Sequence, residues 1–153
     1  MKLLFLSVFV VGCMWTTTNV GDEQESPLRR MDTARMERIA KVHGGKGTML
    51  FRSIFKTSDW NFETDWAFVD HCILPSGTSI GVHSHTTHEE MYIILKGKGI
   101  ATLNGKEYPI RAGDLMPVKI GWTHGVFNNS DEPLELLNVG VFKHGVTELK
   151  SSN

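Results

Sequence analysis

The sequence predicts an all-β fold, a double-stranded β-helix or jelly-roll barrel with a short N-terminal helix, and three observations carry that reading. From residue 48 onward, short runs rich in β-branched and aromatic residues alternate with turns at close, regular spacing. The dipeptide Asn104-Gly105 separates two such runs by two residues, the spacing of a tight hairpin. The composition, with 15 glycines against 5 prolines, suits a turn-rich β protein.

The 153 residues leave room for one domain with a real core, plus appendages. A hydrophobic fraction of 41% and a charged fraction of 22% are ordinary, and the net charge is -1. With no basic excess to drive phosphate contacts, a nucleic-acid partner is excluded. Residues 1–13 stand apart: Lys2 is their one charged side chain, residues 3–11 are apolar, and Gly12-Cys13 follows. That run is too short to span a bilayer but has the length of a secretory h-region. Val10-Val11-Gly12-Cys13 also resembles the lipobox of bacterial lipoproteins, which implies a lipid anchor on Cys13 and an exported protein of the cell envelope. A plain signal peptide and a misassigned start are the alternatives. Residues 14–30 are polar and read as a flexible tether, residues 31–142 as the barrel domain, and residues 143–153 as a polar tail.

Within the domain, residues 31–43 read as the short helix, with Asp32 or Thr33 as its cap. Met36, Ile39 and Ala40 would share one side of it, and Gly44-Gly45 would end it. Strands are expected at residues 49–55, 66–74, 91–95, 100–103, 107–110, 115–118, 124–127 and 134–142. Gly113-Asp114, Asn128-Asn129-Ser130-Asp131 and Glu132-Pro133 supply turns between them.

The chemistry concentrates in residues 77–97. His83, His85 and His88 with Glu89 and Glu90 fall within eight residues, beside an apolar run of strand character. In a strand, side chains at i and i+2 share a face, so His83 and His85 project side by side and offer two imidazoles to one ion. After a turn at Thr86-Thr87 the second strand opens at Glu90, and a later segment supplies His124. Three imidazoles and one carboxylate suit Fe, Mn, Ni, Zn or Cu; Mg and Ca want mostly oxygen.

These residues resemble the first signature motif of the cupin superfamily, in which Gly77, His83, His85, Glu90 and Gly97 fill every fixed position. Gly113, Gly121, His124 and Asn128 match its second motif at the expected intervals. Lys119 stands where that motif has a proline, and Pro117 lies two residues earlier. The resemblance spans residues 68–142 and implies a jelly-roll barrel with one divalent metal ion inside, on His83, His85, Glu90 and His124. The oligomeric state stays open, a homodimer being the habit of many single-domain members. The function implied is a metal-dependent enzyme on a small oxygen-rich molecule, of dioxygenase, isomerase or lyase type. The alternative is a non-catalytic metal-bearing module that binds a small, sugar-like molecule, since one scaffold hosts many chemistries.

The remaining candidates divide by position. Glu89 must face away from Glu90, so only one of the pair should bind metal, and the resemblance implies that it is Glu90. His88 lies in the turn and reads as solvent-facing, while His43 and His144 read as surface residues. His71 stays outside the site, because the parity of its strand is not fixed without knowing the buried face. Cys72 reads as a small apolar residue of a strand. Tyr92, which shares parity with Glu90, and His88 are the candidates for acid–base work beyond the ligands. Trp60, Trp66, Trp122 and Phe127 are candidate cavity walls.

Overall fold

Alternation of apolar and polar residues, repeated between short turns, lets each strand bury one face, and two sheets result. The computed structural model describes residues 28–59 and 62–149. The signal segment, Cys13, the tether up to residue 27 and Trp60 lie outside the described residues. Ten strands form: β1 Glu37–Ala40, β2 Thr48–Lys56, β3 Trp66–Leu74, β4 Ser79–His83 and β5 His88–Lys96. They continue as β6 Lys98–Leu103, β7 Lys106–Arg111, β8 Leu115–Val118, β9 His124–Phe127 and β10 Leu134–Phe142. One sheet has the order β1-β2-β3-β10-β5-β8 and the other β4-β9-β6-β7, all neighbours antiparallel.

The core lies between the sheets, where Leu74, Tyr92, Ile94, Val126, Leu134 and Leu136 are buried. The expected strands all form, with β3, β8, β9 and β10 at the expected bounds; β1 and β4 are additions. The helix expected over 31–43 gives way to two 3-10 turns, Thr33–Arg35 and Val42–Gly44, the first with Asp32 as its cap accepting from the Ala34 amide at 3.0 Å. Between them the chain enters β1 and pairs with β2 instead. One short, weakly amphipathic segment cannot offset the cost of helix nucleation, whereas pairing on a sheet edge satisfies its backbone at once.

Two turns matter for the site. Asn104 and Gly105, both at positive φ (48° and 78°), close the β6–β7 hairpin, with Leu103 opposite Lys106 as a primed two-residue turn requires. Lys119 accepts from the Trp122 amide at 3.0 Å, with Gly121 at φ 78° in the third place of the turn. A glycine supplies that left-handed residue without strain, so the turn before His124 forms with a lysine in its first place. Asn128, fully buried, then ties the end of β9 to its surroundings. Its amide donates to the carbonyls of Leu74 and Glu132, both at 2.8 Å, and its oxygen accepts from the Ser130 amide and hydroxyl.

Candidate metal centre

Along β5, the pleat turns His88, Glu90, Tyr92 and Ile94 inward and leaves Glu89 exposed, so Glu90 enters the barrel alone of the carboxylate pair. The facing sheet supplies His83 and His124, cross-strand partners on β4 and β9 whose ring centroids are 4.1 Å apart. His85 comes from the loop after β4, not from a strand; the Gly121 amide donates to its carbonyl at 2.9 Å and joins the two sequence motifs directly. Its ring lies 6.2 Å from that of His83 at 62°, so the side-by-side projection expected of i and i+2 is replaced by convergence from two directions. His83 Nδ1 donates to the Gly81 carbonyl at 2.9 Å, which leaves its Nε2 lone pair for the interior.

All the imidazoles converge on Glu90. Its Oε2 is 2.9 Å from His124 Nε2 and 3.2 Å from His85 Nε2, while Oε1 accepts from the Asn138 amide at 2.9 Å and lies 3.5 Å from His88 Nε2. Two ligand-type triads share that carboxylate, His83–Glu90–His124 and His85–His88–Glu90, with their donor atoms within 4.8 Å of one another. Yet both ring nitrogens of His85, His124 Nε2 and Glu90 Oε2 are buried without a hydrogen-bond partner. Buried polar atoms left this way cost free energy unless something else satisfies them. Two donors about 2.1 Å from one ion, at right angles, are about 3 Å apart, which matches the two short separations around Oε2. The donor set therefore fits a first-row divalent ion.

The charges agree with this. Burial alone would raise the Glu90 carboxyl, but the His124, His85 and His88 imidazoles and the Asn138 amide hold it well below the usual carboxylate range. Burial lowers His83 to about 4, with His124 and His43 adding to the effect. An ionised carboxylate beside a neutral imidazole is the protonation state that metal binding needs.

Several residues take places the sequence did not assign. His88 is buried at the start of β5, stacked on His85 with centroids 3.8 Å apart, so it belongs to the cluster and does not face solvent. His43, exposed on one side and at φ 49°, stacks on His83 at 3.5 Å and lines the cavity, so it is more than a surface residue. His71 is buried outside the site, its Nε2 2.7 Å from Glu135 Oε1, and His144 is exposed as expected. The cavity beside the cluster, of about 520 Å³, is walled by Phe51, Phe68 and Tyr92. Of the expected aromatic walls, Trp66 and Phe127 are partly exposed elsewhere, and Trp122 packs against the core beneath Lys119. Cys72 lines the cavity as a buried thiol that burial keeps protonated. Tyr92 is wholly buried, and burial raises its hydroxyl well above the ordinary range, which removes it as a base at neutral pH. The group sequence reasoning missed is Asp70, on the inner face of β3 in the same cavity; its strand was recognised, but a single aspartate in an apolar run gives no sign of which way it points.

Two antiparallel sheets closed around an interior His/Glu cluster that could hold a metal ion define a protein of the jelly-roll class. The family model for the cupin domain matches residues 70–140. The oxalate-binding protein of Thermotoga maritima is 36% identical over 104 residues, covering 67% of this chain and 84% of that one. The chain belongs to the cupin family. Among solved structures, that of a predicted oxalate decarboxylase from Thermotoga maritima superposes with a TM-score of 0.69 at 30% identity, covering 76% of this chain and 99% of that one. A cupin 2 conserved barrel domain protein from Salinispora arenicola superposes with a TM-score of 0.59 at 21% identity, over 76% of this chain and 88% of that one, and shares the fold.

Proposed function

We propose that this chain holds one first-row divalent metal ion on His83, His85, Glu90 and His124, and acts as an enzyme on a small carboxylate that reaches it through two oxygens. The observation that carries this reading is the set of buried, unpartnered imidazole and carboxylate atoms converging at one end of a cavity. When bound, the ion would supply Lewis acidity and orient the carboxylate. The residues themselves do the rest: Asn138 fixes the Glu90 carboxylate, the Gly81 carbonyl fixes the His83 tautomer, and Phe51 and Phe68 give the cavity apolar walls. A carboxylate of the oxalate kind is favoured by the names of the relatives at 36% and 30% identity.

A second reading, a binding module that returns its ligand unchanged, is favoured by the name of the first of those relatives. The test is metal analysis of protein purified without chelator, then incubation of the metal-loaded chain with oxalate and other small carboxylates while their consumption is followed. Glu90→Gln keeps the shape and one oxygen donor but removes the negative charge. An enzyme should lose turnover by orders of magnitude with most of its metal retained. Tight, metal-dependent binding with no consumption by wild type would select the binding module. Absence of metal after reconstitution with Fe, Mn, Ni and Zn would end both readings.

A further inference from the structure

Of the two carboxyls that line the cavity, Glu90 belongs to the metal centre and Asp70 does not. The strand registers place them in two neighbouring rows across the inner face of the six-stranded sheet. One row runs Lys56, Phe68, Gly140, Glu90 over β2, β3, β10 and β5; the other runs Ser53, Asp70, Asn138, Tyr92. Both rows touch the metal centre at the β5 end, the second through the Asn138 amide on Glu90. Towards β2 they become a different environment. Asp70 Oδ1 and Asn138 Oδ1 are buried without hydrogen-bond partners, the Ser53 hydroxyl lies opposite Asp70, and Lys56 lines the same space and attracts the Asp70 carboxylate without an ion pair to it. Between the ends, the Phe68 ring occupies room that only a glycine at 140 can leave, since a Cβ there would overlap the ring.

The geometry points to a second subsite at Asp70 and Lys56 that reads hydroxyl groups, so that the ligand of this cavity is a polyhydroxylated carboxylate of sugar-acid type. The proposal rests on the reading of the His–Glu cluster as a metal centre for a carboxylate, and names the rest of the molecule. Adjacent strands are about 4.8 Å apart, so Asp70 stands roughly 10 Å across the sheet from Glu90. A two-carbon acid at the metal cannot reach it, and at about 30 Å³ per water the cavity has room for well over ten waters. An ionised carboxylate only accepts, so its ligand partner must be an O–H or N–H donor, and of these only a hydroxyl can also accept from Lys56 at the same atom. Lys56 at the same end repels an ammonium, whereas a hydroxyl can donate to Asp70 and accept from Lys56 together.

The test uses the metal-loaded full chain in calorimetric titrations with glycolate and with a panel of five- and six-carbon aldonic and uronic acids. At least one panel member should bind about tenfold or more tightly than glycolate, the worth of one hydrogen bond to a charged group. Asp70→Asn should abolish that preference while leaving glycolate affinity and metal content unchanged, and Lys56→Met, at an exposed position, should reduce it. The subsite is overturned if no panel member exceeds glycolate, or if Asp70→Asn leaves the preference intact. Failure of glycolate and oxalate alike to bind in a metal-dependent way would instead overturn the metal–carboxylate reading, and the subsite with it.

Discussion

Glu90 is met by imidazoles from two strands of the opposite sheet and one loop, and each of these histidines can be separated from those elsewhere by which way it faces. His85→Ala or His124→Ala should lower metal affinity more than tenfold in a competition titration. His71→Ala, whose ring pairs with Glu135 outside the cavity, should leave it unchanged. Equal loss in all three would mean that the metal binds elsewhere. Asp70 gives a prediction of opposite character. Burial raises its carboxyl to about 6, against Ser53 and Lys56, which lower it, while Glu90 adds to the rise. A raised carboxyl binds protons more tightly in the folded chain, so its favourable contribution is present below about pH 3.8 and lost as pH rises through about 6. Above that window the buried charge costs stability. Metal-free Asp70→Asn should therefore be more stable than wild type at pH 7.5, by about 1–3 kcal/mol, with the difference vanishing near pH 3.8. Denaturant titrations at the two pH values check it, and a variant less stable at pH 7.5 would refute it.

Among the elements, β10 decides the shape of the cavity. It lies between β3 and β5, and at Gly140 it carries no side chain, so the Phe68 ring from one neighbour reaches over it towards His88, 5.5 Å away. Gly140→Ala should force that ring aside and cost about 1–3 kcal/mol through overpacking. Loss of ligand affinity should accompany the loss of stability, as read by thermal melts and titration together. An alanine accepted without cost would mean that Phe68 does not need that space. The β9 end is held differently, by hydrogen bonds to Asn128. Asn128→Ala takes the donor from the buried Leu74 carbonyl, while the Glu132 carbonyl keeps the Ser130 hydroxyl, and should destabilise by about 1–3 kcal/mol without touching the His83, His85, Glu90 and His124 side chains.

For the whole molecule, a metal ion held on the His/Glu cluster would join parts that come from different sheets. His83 and His124 come from one sheet and Glu90 from the other, so an ion bridging them binds the folded state and not the unfolded one. At a free metal concentration a hundredfold above Kd, the gain should be about 2.7 kcal/mol, seen as a higher Tm that a chelator reverses. Acid should reverse it too, since protonated imidazoles release the ion. The N-terminal segment carries an independent prediction. If Cys13 is lipidated, Cys13→Ser should abolish labelling by a fatty-acid analogue and free the protein from membranes. A mature chain that begins well beyond Cys13 would exclude the anchor.

The sequence by itself determined eight of the ten described strands and the turns between them, because a two-residue period and a left-handed glycine are local properties that survive without neighbours. It also determined which of Glu89 and Glu90 enters the barrel, and singled out Gly121 and Asn128, which hold the turn and strand around His124. Only the tertiary structure decided the rest. The 31–43 segment became a strand because an edge of β2 was there to receive it. His88 and His43 joined the cluster through stacking on rings from other segments, and Asp70 met the cavity because β10 set its register against Asn138. Each of these depends on which chain segment lies opposite, and pairing partners distant in sequence leave no mark on the local pattern.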